Sequence, residues 1–449
     1  MNLREAKRKI REKNCVIEIF GIGYVGFPLA IRLASSSFNI IGIDTNEERL
    51  KELESNRLKH SENNFKKEFV DLRLKKKLLF SKSSIKSKLP RIGIICVPTP
   101  ISSKKNGSNI YVKEAVENFL AHTKRGDILI IESSLEIGSF EHIKSIITEK
   151  CLSVGKDFGL AYCPERIDPL NKKWNLHNIP RVIYCEDDTT FEIAKLVYQG
   201  INQANLVRVN SSKVAEIVKS FENTFRLVNI SLVNELAIFC DSLGISVSEV
   251  LEAASTKPFG FIPFYTGAGA GGHCIPKDPM LLLNSAKNFG FDFTLVRKSL
   301  EINEFISKYI AKRIDEILND KKLPKKVLVV GLSYKANLED MRDSPGLKII
   351  HELFKRGFKI SVYDPFFNEK MIKEHIFQNN KVETSLKVVE NFDDINDKPS
   401  CLVVVQHHNK MKNTIKEIYD KSQVPIIYDC QNKLKKNPQS STTLISFGG

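Results

Sequence analysis

VIEIFGIGYVGFPLAIRL, residues 16–33, decides how this chain folds. Five β-branched, acidic and aromatic residues lead into Gly21-Ile22-Gly23-Tyr24-Val25-Gly26, and helical apolar spacing follows over residues 27–33. Strand, glycine turn and helix in that order are what a dinucleotide cradle requires. Gly21 makes the tight turn, Gly23 lets the backbone approach a pyrophosphate, and Gly26 permits close packing of helix on strand. The N–H groups at the helix start, around Tyr24 and Val25, then face the phosphates. The next strand, residues 40–43, ends on Asp44, 18 residues after Gly26. An acid there accepts hydrogen bonds from the ribose hydroxyls and repels a 2′-phosphate, so NAD is expected rather than NADP. Arg49, a helical turn further on, bears on that preference and is counted at the same edge. A glycine turn beside an ordinary surface aspartate is the competing reading. The agreement of strand, glycines, helix and acid weighs against it.

Working outward, apolar runs at 15–20, 92–97, 128–131, 160–162 and 181–184 read as further strands, with helical periodicity at 112–122 and 140–151. This alternation predicts a parallel sheet covered on both faces. Pro98 and Thr99 close one strand, and Ser134, in Glu132-Ser133-Ser134, closes the next. Ligands bind outside the carboxyl ends of such strands, so these residues are expected on the nicotinamide side. From about residue 211 the pattern changes: residues 212–243 contain no Gly or Pro and read as one long helix, apolar around much of its circumference. Such a helix is buried between partners. Helices at 246–254 and 292–319 follow, and strands return at 326–330, 359–363, 401–405 and 426–428. The expected fold is α/β, with two Rossmann-like parallel-sheet domains joined by a central helical domain. The divisions fall at 1–210, 211–318 and 319–449. Residues 433–449 are rich in Lys, Asn, Pro, Ser and Thr and are expected to be loosely ordered.

Composition narrows the function classes. The chain has 68 Lys and Arg against 53 Asp and Glu, a formal net charge of +15, with basic runs at 7–13, 66–77, 82–91 and 321–326. Such runs can track a nucleic-acid backbone. These are scattered and lack interleaved aromatics, so solvated faces and a field attracting an anionic small substrate are the better reading, with no nucleic-acid partner. Nine cysteines show no CxxC pair and no zinc-type Cys/His spacing, so neither a disulfide framework nor a metal is expected. The basic N-terminus precedes an apolar run too short for a signal peptide, and no stretch reaches transmembrane length. A cytoplasmic chain with reduced thiols and no membrane partner is therefore expected.

The stretch 266–279, TGAGAGGHCIPKDP, carries the chemistry. Four glycines and two alanines over residues 267–272 forfeit packing and cost conformational entropy, which makes sense where backbone passes close to a ligand. Cys274 follows, with Lys277 and Asp278 within four residues. A thiolate needs positive surroundings, which Lys277 or a helix N-terminus supplies, and Asp278 is suited to hold a water or accept a proton. A lone cysteine is more often a small buried hydrophobe, as expected for Cys15, Cys96 and Cys401 in apolar strands. Glycine, histidine and charge around Cys274 argue otherwise. His273 reads equally as a base or as a structural hydrogen-bonding group.

With these motifs in view, the chain resembles the UDP-glucose/GDP-mannose dehydrogenase family over nearly its whole length. GIGYVG, CVPTP, AYCPER, AEIVKSFENT, GGHCIPKDP and VVGLSYKANLEDMRDSP occur in the family's order. The run STKPFGFIPFYTGAGAGGHCIPKDP is most similar to the branch acting on UDP-N-acetylglucosamine, with the UDP-N-acetylmannosamine and UDP-glucose branches as near relatives. The resemblance implies an NAD-dependent four-electron oxidation of a sugar C6 to the uronate, feeding surface polysaccharide or glycan synthesis. Cys274 would be the nucleophile. Lys219 and Asn223, four apart on one helix face, would contact the substrate and stabilise the oxyanion. Asp278 would work with Lys219 on a water, and Glu165 would serve the thioester stage beside Arg166. Ser134 stands where Thr is usual and keeps the hydroxyl. Tyr265, Gly271 and Lys335 would contact the UDP-sugar, and Arg342 the cofactor in a neighbouring subunit's site, which implies a homodimer or larger assembly. Gln431 stands where a basic residue is common.

Three other readings are weighed. A two-electron hydroxyacid dehydrogenase shares the cradle and helices but has no use for Cys274. A scaffold that kept the fold has no need of Cys274, Lys219, Asn223, Asp278 and Glu165 together. Binding to nucleic acid would rest on charge alone.

Overall fold

The computed structural model describes residues 1–449 except 59, 101–108, 151, 169–170, 172, 203–204, 273, 378–385 and 391–397. The chain forms two compact units: Met1–Glu222 with Met280–Phe291, and Asn223–Pro279 with Asp292–Gly449.

The first unit holds β1 (Val16–Phe20), β2 (Asn39–Ile43), β3 (Leu78–Ser81), β4 (Arg91–Ile95), β5 (Ile128–Ile131), β6 (Gly159–Tyr162), β7 (Arg181–Cys185) and β8 (Leu206–Arg208). They form one sheet in the order β3-β2-β1-β4-β5-β6-β7-β8. Val16 lies opposite Asn39 on one side and Arg91 on the other, so the central strands end together at one edge. All pairs are parallel except β6–β7. That reversal brings Arg181, the first residue of β7, to the edge where β5 and β6 end.

Both faces are covered, as near-continuous apolar strands demand. Phe27, Leu29 and Ile31 of the helix Gly26–Ser35 pack on one side. Val112, Val116 and Phe119, with Phe140, Ile143 and Ile147, pack on the other. Phe119 meets Phe20 and Phe158 edge-on at 6.2 and 6.3 Å. Truncating so enclosed a ring costs about 3–5 kcal/mol.

The second unit holds β9 (Lys326–Val330), β10 (Lys359–Tyr363), β11 (Leu386–Val388), β12 (Cys401–Val404), β13 (Ile426–Asp429) and β14 (Thr443–Ser446). Their order is β11-β10-β9-β12-β13-β14, and every pair is parallel. The helix Ser212–Leu243, 32 residues long, gives its first turns to the first unit and the rest to the second. Helices Val247–Ser255 and Thr294–Asp320 follow it. The two Rossmann-like parallel sheets and the long central helix expected from the sequence are thus present.

One expectation is corrected. The tail is not loose: Thr443–Ser446 pairs with β13, and Phe447 is fully buried. Gly448 lies so close to Val247 and Ala237 that a Cβ would come within 2.6 Å of the valine side chain, and its carbonyl accepts from Val247 N at 2.7 Å. Polar composition hid this strand because all four of its residues are only half-buried.

Candidate active site

In the first unit the cradle has the geometry the glycines require. Gly21 has φ +88°, a left-handed conformation glycine adopts freely. Its N–H donates to Ile43 O at 2.7 Å. A Cβ on Gly26 would lie 2.0 Å from Gly21 O, so turn and helix start are in direct contact. Gly23 has nothing within 4 Å of where a Cβ would stand, which leaves its backbone open to a ligand. Tyr24 is exposed, and Val25, the N-cap, makes no side-chain capping bond. Asp44 is half-buried; its Oδ2 accepts from Ile22 N and its Oδ1 from Asn46 N, both at 2.9 Å. Open backbone, an uncapped helix start and an oriented carboxylate together fit a dinucleotide. Arg49 turns inward: 6 % exposed, it donates to Ile22 O at 3.2 Å and pairs with Glu62. It braces the glycine turn from beneath.

Around the same edge, Pro98 is exposed and Thr99 buried. Ser133 fastens the two strand ends by donating to Val97 O at 2.7 Å, and Ser134 is half-buried beside it. Glu165 lies just beyond β6. Its Oε1 accepts from Arg166 N and Ile167 N at 2.6 and 2.7 Å, and its Oε2 from Arg181 Nη2 at 2.9 Å. Arg166 pairs with Glu222 and donates to Pro180 O. Lys219, half-buried, makes no hydrogen bond or ion pair among the described residues.

In the second unit Cys274 is exposed, unlike most of the chain's thiols. It enters the helix Lys277–Lys287, with its carbonyl accepting from Asp278 N at 2.9 Å. Pro279 suits that first turn, where its missing N–H is not needed. Asp278 is 1 % exposed. Its Oδ2 accepts from Asn223 Nδ2 at 2.6 Å; its Oδ1, 3.8 Å from Lys277 Nζ, has no hydrogen-bond partner. A buried carboxylate oxygen without a donor costs about 1–3 kcal/mol and calls for a water or a ligand hydroxyl. Arg342 lies within electrostatic reach of Cys274, supplying the positive surroundings a thiolate favours. Asp340 holds the Arg342 guanidinium with both carboxylate oxygens, and the Arg342 carbonyl accepts from Gly272 N at 3.1 Å.

The glycine collar has a reason the sequence did not reveal. A Cβ on Gly271 would stand 2.6 Å from Asp343 O, and one on Gly272 2.5 Å from the Tyr334 ring. These glycines let the Cys274 loop press against the segment after β9, which also carries half-buried Lys335. Tyr265 is 69 % exposed. Gln431 donates to Gln406 Oε1 at 2.9 Å. His273 lies outside the described residues.

Sequence reasoning gave no role to Arg181, the partner of Glu165, or to Glu132 and Tyr198, which bond to each other beside it. Two charges placed at the ends of otherwise apolar strands were the available signal.

Residues 15–202, 213–305 and 328–436 match, in turn, the NAD binding, central and UDP binding domains of the UDP-glucose/GDP-mannose dehydrogenase family. The chain is 33 % identical over 448 residues to a UDP-N-acetyl-D-mannosamine dehydrogenase of Methanococcus aeolicus, covering 97 % of this chain and 95 % of that one. It is 33 % identical over 362 residues to a UDP-N-acetyl-D-glucosamine 6-dehydrogenase of Salmonella typhi, covering 80 % and 84 %. A solved UDP-D-ManNAc dehydrogenase from Pyrococcus horikoshii superposes with a TM-score of 0.84 at 29 % identity, covering 96 % of this chain and 99 % of that one.

Proposed function

Because the chain belongs to the UDP-glucose/GDP-mannose dehydrogenase family and is an NAD-dependent nucleotide-sugar oxidoreductase, we propose that it oxidises C6 of a UDP-N-acetylhexosamine to the carboxylate. The sugar is held on Cys274 between two oxidations. The observation that carries this reading is the exposed Cys274 beside Asp278, whose buried Oδ1 lacks a donor while Asn223 fixes the other oxygen. The Gly21–Gly26 turn and Asp44 would hold NAD, which would supply the hydride acceptor for each oxidation. Asp278 and Lys219 hold the water that takes the hydroxyl proton, and Lys219 with Asn223 stabilises the developing oxyanion. Attack of the Cys274 thiolate on the aldehyde gives a thiohemiacetal, and its oxidation a thioester, which water activated near Glu165 hydrolyses.

The three matched spans support reading 1–210 as the cofactor domain, 211–318 as the central domain and 319–449 as the UDP-sugar domain with Lys335. Exposed Phe221, Leu232 and Phe239 on the helix Ser212–Leu243 support at least a homodimer. Among the described residues no helix is long and apolar enough to cross a membrane, and no described cysteine forms a disulfide, which supports a cytoplasmic setting. As to the sugar, near-full-length likeness to mannosamine enzymes favours the manno epimer over the gluco epimer first expected.

Purified enzyme offered UDP-N-acetylmannosamine, UDP-N-acetylglucosamine and UDP-glucose should release two NADH per molecule of one preferred sugar. Cys274→Ser should form no acid yet still bind NAD. Two NADH per sugar from that variant would exclude Cys274 as the covalent handle.

A further inference from the structure

Glu132 closes β5 at 2 % exposure, and none of the roles above uses it. Its Oε1 accepts from Arg181 Nη1 at 3.0 Å and from the Tyr198 hydroxyl at 2.6 Å. The same guanidinium reaches Glu165 Oε2 through Nη2 at 2.9 Å. The Glu132 and Glu165 carboxyls are themselves in hydrogen-bonding contact. One guanidinium cannot neutralise two carboxylates, and a buried net charge is costly. Two carboxyls in contact relieve it by sharing a proton.

The remaining titratable groups facing Glu132 are Cys96, at 4.0 Å, together with Cys163 and Tyr198. Burial pushes Cys163 up to about 12 and raises Cys96 and Tyr198 well above their ordinary values. None of the three exchanges a proton near neutrality. Burial also lifts Glu132 to about 7, against the pull of Arg181 and with the push of Glu165. Arg181 and Tyr198, each 3 % exposed, lie against a cleft of about 570 Å³ lined also by Lys195, Gln199 and Asn202.

We propose that Glu132 is the positioning and proton-holding partner of Glu165, fixed by Arg181 and Tyr198: starting from the unprotonated pair, it takes the proton Glu165 gains when water attacks the thioester, which gives the one-proton state that balances Arg181. This rests on the four-electron reading above. In that step the water oxygen bonds to the acyl carbon, and the C–S bond breaks with its electron pair on sulfur. One water proton passes to Glu165 and across the carboxyl contact to Glu132, which releases it before the next turnover. The other leaves from the carboxylic acid product, and nothing is oxidised or reduced.

The test uses the full chain and the UDP-sugar that the wild type oxidises. Wild-type turnover should show an inflection near neutral pH in the hydrolytic step. Glu132→Gln keeps the shape and a bond to Arg181 but cannot titrate. It should lose the inflection and slow hydrolysis on the order of ten- to a hundredfold, while the initial burst of NADH persists. Glu132→Asp should recover part of both. Infrared difference spectra between about pH 5 and about pH 9, taken without substrate, should show one buried carboxyl titrating in the wild type and none in Glu132→Gln. If Glu132→Gln does not fold, Tyr198→Phe, which removes only a hydroxyl, should shift the inflection. Unchanged inflection and hydrolysis in the variant that folds overturn the proposal alone. A wild-type chain that oxidises no UDP-sugar overturns the reading it rests on.

Discussion

The six strands of the second sheet repeat the order of the first six of the other, and each sheet opens on the same corner. Gly21 and Gly331 directly follow the first strand of their sheets, with φ +88° and +81°. Their N–H groups donate to Ile43 O and Tyr363 O at 2.7 and 3.1 Å. Asp44 and Asp364 follow the second strands, and accept from Ile22 N at 2.9 Å and Leu332 N at 2.6 Å. The halves then part. In the first, the helix begins at Gly26, five residues after the glycine; in the second, it begins only at Pro345. The intervening segment carries Lys335 and Arg342 and packs on the Cys274 loop. Asp364 is 3 % exposed and also takes Ser333 N at 3.2 Å and His408 Nε2 at 3.0 Å. Strand order thus supplies two equivalent corners. The segment leaving each glycine determines whether a helix start is presented to a dinucleotide, and the site belongs to those loops rather than to the fold.

The largest effect that separates the corners should come from their glycines. A Cβ at Gly26 would lie 2.0 Å from Gly21 O, backbone that has nowhere to go without opening the turn. Gly26→Ala should weaken NAD binding on the order of a hundredfold, about 2.7 kcal/mol, in a fluorescence titration. At Gly331 a Cβ would stand 2.4 Å from Gln406 O with φ +81°. Gly331→Ala should lower the melting temperature, with overpacking of about 1–3 kcal/mol, and leave the NAD dissociation constant alone. Equal loss of NAD affinity in both variants would end the distinction.

Next in size, the halves should respond to pH in opposite windows. Burial holds Glu132 at about 7, above its ordinary 4.5, so the folded state keeps a proton that the unfolded chain has released. The first unit is therefore most stable below about pH 4.5 as far as this group is concerned, and loses that stability as pH rises to about 7. Asp429 goes the other way. Burial alone would raise it, but the His407 hydrogen bond and charge and the backbone N–H groups of Gln431 and Leu434 bring it below 3.8. Its contribution is complete above that value and is lost as pH falls through the folded pKa. Hydrogen exchange on the intact chain should show protection around β5 and β7 falling as pH climbs. Protection around β13 should fall only in acid. Parallel pH profiles would refute the assignment.

Most of the fold was legible because its strands are apolar runs closed by glycine, proline or an acid. β1, β5 and β9 stand where alternation put them, and the helix Ser212–Leu243 matches its Gly- and Pro-free run at both ends. β3 and β14 escaped notice because one is a short run among lysines with Leu79 half exposed, and the other is a four-residue Thr-Leu-Ile-Ser run, half-buried throughout and set in a polar tail. At the site, the cradle residues and Cys274 announce themselves by local pattern. Arg181, Glu132 and Tyr198 do not, since their meaning arises only when the antiparallel turn of β7 brings an arginine to the ends of β5 and β6. Local sequence records propensity; it does not record which distant charges share a buried volume. The Gly271–Gly272 pair shows the same limit: a need for glycine was evident, but the neighbour demanding it, Tyr334, lies sixty-odd residues away.

The smallest effect concerns the two acids, and it probes the comparison most finely. Asp44 accepts one backbone N–H on each carboxylate oxygen, so Asp44→Asn removes the charge and keeps only one of the two bonds. NAD affinity should fall about tenfold, about 1.4 kcal/mol, and the preference over NADP should narrow, because the charge that repels a 2′-phosphate is gone. Arg49 cannot compensate by moving to a phosphate without abandoning Ile22 O and Glu62. Asp364→Asn alters a carboxylate already engaged by three donors on one oxygen, so its cost should appear as lost stability in urea and not in cofactor affinity. Paired titrations with NAD and NADP across both variants decide the matter. If Asp364→Asn shifts the NAD constant as much as Asp44→Asn does, the second corner has kept a cofactor role that its buried acid argues against.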